Sequence, residues 1–143
     1  MSTASVIGTV WFNPASSWMP ETLAEVVVHE TTHALIFLDE IRHIHIDPTA
    51  AMEREMPTVP GAVSSRPLPL PTAVHSAMVA AELLEWRRRF SSDFGVPVHG
   101  STEKIITNAR QTFDLLQGHR DFYTPRLLDL LDRTGRALAL APA

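Results

Sequence analysis

The stretch VVHETTHALIFLDE, residues 27–40, decides how this chain is read. Within it, His29-Glu30-Thr31-Thr32-His33 fits the pattern H-E-x-x-H. Two residues four apart on a helix lie ~40° apart around its axis and ~6 Å apart along it, so two imidazoles at that spacing converge on one ion. Glu30, ~100° from His29, cannot share that direction but reaches a water or substrate beside the metal. Two histidines and a glutamate inside a strongly apolar helix are costly unless something satisfies them. The competing reading is a pair of hydrogen-bonded core histidines.

The helix around this motif is predicted over about residues 20–43. Pro20 suits its first turn, and Glu21 and Glu25 sit near the positive end of its dipole. Leu23, Val26, Val27, Leu35, Ile36, Phe37, Leu38 and Ile41 make it apolar on most sides, which predicts a central helix. Upstream, SVIGTVWF (5–12) reads as a short strand ended by Asn13-Pro14. Downstream, residues 47–71 hold six of the eleven prolines and read as an ordered arm or lid within one domain. A second helix is predicted over about 72–90. Its terminal Arg87, Arg88 and Arg89 read as a solvated last turn. A third helix spans about 101–116, with Gly118 as its stop, and a fourth runs from Thr124-Pro125 to about 140. The expected fold is therefore mainly α: about four helices, a short N-terminal β element, the HExxH helix central, and residues 1–143 forming a single metal-binding catalytic domain.

Composition narrows the chemistry. The chain has 143 residues, 45% of them hydrophobic and 20% charged, as ordinary globular domains do. A formal net charge of −4 and the lack of a basic stripe argue against nucleic acid as a partner. With no cysteine, thiolate sites, disulfides and cysteine nucleophiles are excluded, so a metal must rest on nitrogen and oxygen. No apolar run approaches a membrane span and the N-terminus does not resemble a signal peptide, so a cytoplasmic enzyme is expected. The serines lack a nucleophile-elbow context, and Gly95 and Gly100 do not form a phosphate loop.

A stable site needs a third ligand. Asp39 has the spacing used by one group of zinc peptidases, but Ile36 stands where that arrangement needs a glycine turn. Glu53, twenty residues after His33, has thermolysin-like spacing and is the runner-up, although AAMEREMP allows only a turn or two of helix before Pro57. His43 lies ~15 Å along the helix from His33, too far to share an ion. His75, in the first turns of the second helix on a face with Val79, Leu83 and Trp86, is the better candidate; a satisfied core histidine is the alternative. Glu40, two turns beyond His33 on nearly the same face, is placed to accept a hydrogen bond from a ligand or to form a salt bridge.

The segments VVHETTHALIFLDE (27–40) and SSRPLPLPTAVHSAMVAAELL (64–84) resemble the HExxH-type peptide-modification proteins associated with ribosomally made peptide natural products. Members of that family act as 2-oxoglutarate-dependent peptide β-hydroxylases. The resemblance spans roughly residues 6–90, and the second block carries arginine-proline (Arg66-Pro67) followed by a histidine opening an apolar helix (His75). It implies three ligands, His29, His33 and His75, for Fe(II), with 2-oxoglutarate as co-substrate and a peptide or small molecule as substrate. Arg66 is then the residue expected to pair with the distal carboxylate of 2-oxoglutarate, since a guanidinium holds a carboxylate in a fork. Two alternatives stay open. One is a zinc peptidase with Glu30 as general base and His75 or Glu53 as third ligand. The other is a non-catalytic metal-binding protein.

Overall fold

The computed structural model describes residues 9–10, 13–90 and 98–140. Among them run α1 (Pro20–Arg42), α2 (Pro48–Glu53), β1 (Thr58–Pro60), β2 (Pro67–Pro69), α3 (Leu70–Arg89), α4 (Thr102–Gln117) and α5 (Pro125–Ala139), with a 3₁₀ turn at Arg120–Phe122 before α5. The fold is mainly helical, with one small antiparallel hairpin, as the sequence predicts. The strand expected over 5–12 lies outside the described residues except for Thr9 and Val10, which belong to no regular element.

Local chemistry explains the boundaries. Prolines occupy the first turns of α1, α2, α3 and α5, where no amide is needed. Ser101 caps α4 by accepting from the Lys104 amide at 3.2 Å, and Asp47 caps α2 by accepting from Thr49 and Ala50. α1 ends where His43 turns extended. The strip after it is then fastened to the start of α5. Ile46 bridges Tyr123, the Asp47 amide donates to the Phe122 carbonyl at 2.8 Å, and the Thr124 amide donates to the His45 carbonyl at 3.0 Å.

The centre of the bundle is α3, not the HExxH helix. α3 packs against α1, α4 and α5, and buries Leu70, Ala73, Val74, Ala77, Val79, Ala80 and Leu83. Its alanines let three helices approach one axis, which bulky residues at those positions would prevent. α1 is instead laid along one side of α3, leaving Leu35 61% and Ile41 68% exposed. Apolar residues all around a helix marked it as central; in the fold, one apolar side is left outside. At the far end, α5 closes on α4 where a Cβ on Gly135 would stand 2.5 Å from Phe113 Cζ, so only glycine fits without displacing the ring.

The proline-rich segment forms α2 and the hairpin, and part of it packs on the core. β1 pairs with β2 in the register Thr58–Pro69, Val59–Leu68 and Pro60–Pro67. Val59 of β1 and Ala62 of the turn after it are buried, and Thr112 of α4 donates to the Pro60 carbonyl at 2.8 Å.

Candidate metal centre

α1 and α3 meet so that their histidines face one cavity of about 490 Å³, lined by His29, Glu30, His33, Phe37, Glu40, Pro71, Thr72 and His75. The helical spacing brings the His29 and His33 rings to 5.0 Å between centroids. α3 brings His75 across, its ring centroid 5.6 Å from that of His33 and the two Nδ1 atoms 3.4 Å apart. Glu30 sits at the cavity wall, 9% exposed.

Each histidine has its own surroundings. His75 Nε2 lies 3.0 Å from Glu40 Oε1, so the N–H of His75 points at the carboxylate and Nδ1 is left to face His33. Glu40 thus takes the hydrogen bond for which its position suited it, and it also stands 3.5 Å from His45 Nδ1. His29 Nδ1 is buried and has no hydrogen-bond partner among the described residues. Burial, then the neighbouring His99 and His33, pull the His29 pKa down to about 4. Burial and His75 lower that of His33. Both rings are therefore neutral at neutral pH, the form that binds metal.

These donors suit a divalent ion by spacing. Nitrogens ~2.0–2.1 Å from a tetrahedral ion stand ~3.3–3.4 Å from each other, and their rings have centroids ~5 Å apart. The His33–His75 pair meets the first measure, and both histidine pairs lie near the second. Among the described residues, no three His, Asp or Glu side chains are already gathered closely enough to hold an ion as they stand.

Other expected participants lie elsewhere. Glu53 ends α2 exposed and is absent from the cavity wall, because the short helix turns it to solvent. Arg66 is exposed immediately before β2, where its carbonyl accepts from the Gly61 amide at 2.8 Å; its side chain does not line the cavity. The hairpin register that buries Val59 and Ala62 carries Arg66 outward. Asp39 is no ligand either. It receives a fork from Arg126 at 2.5 and 3.1 Å and a contact from His45 Nε2 at 2.7 Å, and Arg126 before all else holds its carboxyl well below the usual carboxylate range.

Sequence reasoning missed a second polar group beside the cavity. Arg87, expected in a solvated last turn, is 5% exposed and forks onto Glu25 at 2.8 and 2.7 Å. Only Arg88 and Arg89 are exposed, both bonded to Glu85. Glu25 is itself 2% exposed and lies 2.7 Å from His99 Nδ1. Burial acts to raise the Glu25 pKa, but the hydrogen bonds from His99 and Arg87 outweigh it and bring it to about 2. His99, just before α4, stacks on His29 with centroids 4.7 Å apart and an interplanar angle of 12°. The one available signal was spacing, since Glu25 is four residues before His29 and shares its helix face.

No family model, curated protein or solved structure matches this chain.

Proposed function

We propose that this chain is a metal-dependent enzyme. It binds one divalent ion on His29, His33 and His75, and acts on a peptide or amino-acid side chain. The observation that carries the reading is the facing pair His33 Nδ1 and His75 Nδ1, 3.4 Å apart, with His75 oriented from behind by Glu40. A carboxylate on the far nitrogen of a histidine is the usual support of a metal ligand, because it fixes tautomer and ring direction. The resemblance in the two motif blocks points to Fe(II)- and 2-oxoglutarate-dependent β-hydroxylation, in which the bound ion would supply the oxidative chemistry. The chain's own residues position and shield. Phe37 and Pro71 form apolar wall beside the histidines, and Glu30 holds a carboxylate at the same wall. No helix among the described residues is long and apolar enough to cross a membrane.

A zinc hydrolase is the second reading. It is favoured by Glu30, a carboxylate on the cavity wall between two donors on the same helix, where a general base would take a proton from water. One experiment separates the readings. The purified chain is loaded with Fe(II) or Zn(II), metal content is measured, and a peptide library is followed for 2-oxoglutarate consumption and for cleavage. Wild type is expected to hold one ion, and His33→Ala none. Glu30→Gln should keep the ion; hydrolysis should fall by ~10²-fold or more if Glu30 is the base, and hydroxylation by less. Full metal retention by His33→Ala would overturn the site, and an ion bound without turnover of either kind would leave a non-catalytic metal-binding protein.

A further inference from the structure

His29 lacks the support that His75 has. Nε2 of His75 is bonded to Glu40, whereas among the described residues the buried Nδ1 of His29 has no hydrogen-bond partner and no side chain braces the ring by such a bond. A ligand ring without such a bond must be oriented by packing. Among the described residues, the ring that stacks flat on it is that of His99, at 4.7 Å and 12°.

His99 is itself unusually well held for a residue outside the helices. Its Nδ1 bonds Glu25 at 2.7 Å, and Arg87 clamps the same carboxylate with two nitrogens and reaches Thr102 of α4 with the third, at 3.2 Å. Glu25 belongs to α1, one turn before His29, and Arg87 to α3, so one network ties both walls of the cavity to the plate that His29 rests on. A buried ion pair of this kind stabilises little compared with apolar packing, so a placement role explains it better than stability does.

We propose that His99 is a positioning residue for the metal site: a ring locked by Glu25 and Arg87 that fixes the plane of His29 by stacking. The inference rests on the three-histidine reading above. Stacking and hydrogen bonding are separated by two variants. His99→Phe keeps an aromatic plate and loses the bond to Glu25; His99→Gln keeps a donor and loses the plate. The probe is Co(II) alone, titrated into the full chain, with affinity and the visible ligand-field spectrum as readouts and circular dichroism as the check on folding. His99→Gln is expected to weaken Co(II) ~10–100-fold, the usual loss for a residue supporting a ligand, and to alter the spectrum. His99→Phe is expected to restore most of the affinity and a spectrum close to wild type. A folded His99→Gln indistinguishable from wild type would show that the network is only structural. A folded His99→Phe as poor as His99→Gln would show that a nitrogen of His99, not its plane, is what matters. Either result overturns the proposal while wild-type binding upholds the site. Absence of Co(II) binding by wild type would overturn both readings.

Discussion

On one flank of the histidine cluster, Arg87 forks onto Glu25 with side chains 5% and 2% exposed. On the other, Arg126 forks onto Asp39 with side chains 35% and 20% exposed. The parts are the same: a carboxylate from α1, an arginine from a later helix and a histidine, His99 or His45, on the carboxylate. Depth separates them. The inner fork has lost its water, so each charge depends on the other. The outer fork keeps water as a competitor, and its pairing counts for little. Like chemistry at two depths therefore serves two purposes: the inner flank holds α1 on α3, and the outer flank leaves Glu40, 32% exposed, free to serve His75.

The largest expected effect tests this difference directly. Arg87→Leu should cost about 3–5 kcal/mol, since it strands a buried carboxylate, whereas Arg126→Leu should cost far less, since water can take over its exposed half of the fork. Urea denaturation of the metal-free proteins measures both. Equal losses would show that depth does not distinguish the forks.

The next effect is the pH dependence of the inner flank. The Glu25 pKa is lowered from 4.5 to about 2 because the hydrogen bonds of His99 and Arg87 prevail over burial. A carboxylate with a depressed folded pKa binds its proton more readily when unfolded. Its stabilisation is therefore complete above pH 4.5 and disappears as pH falls from 4.5 through 2. At about 1.4 kcal/mol per unit, the loss is about 3–4 kcal/mol. Glu25→Gln cannot titrate, so its stability should change less across this window than that of wild type. Parallel curves for the two proteins would remove Glu25 from the acid response.

The four long helices were legible to within a residue or two because their signals are local: Pro20, the cap at Ser101, the stop at Gly118 and the pair Thr124-Pro125; the short α2, inside the proline-rich stretch, was not. So were His29, His33 and the inward turn of His75, since helical spacing and an apolar face suffice to place them. What lies across helices was not legible. Arg87 looked like its neighbours Arg88 and Arg89, and only the docking of α1 reveals that it alone faces Glu25. His99 reaches His29 over seventy residues of chain, and no periodicity encodes that approach. Nor could apolar content tell which helix is central, because the small residues of α3 decide that by letting neighbours come close.

The smallest effect concerns the outer flank, where comparison and function meet at Glu40. Its carboxylate takes the N–H of His75 at 3.0 Å, yet a third of its side chain remains in water and it lies outside both arginine forks. Replacing it should hardly disturb the fold. Glu40→Gln keeps an oxygen able to accept from His75 but removes the negative charge that strengthens the bond and makes the imidazole a better donor to metal. The expected result is unchanged urea stability without metal, and Zn(II) affinity about 10-fold weaker, equivalent to about 1.4 kcal/mol. Isothermal titration of both proteins with Zn(II) measures this. The same titration of Arg126→Leu should give nearly wild-type affinity, because that arginine reaches the site only through Asp39 and His45. If Glu40→Gln binds zinc as wild type does, the Glu40–His75 contact is a surface pairing with no part in orienting a ligand, and the two flanks differ in depth alone.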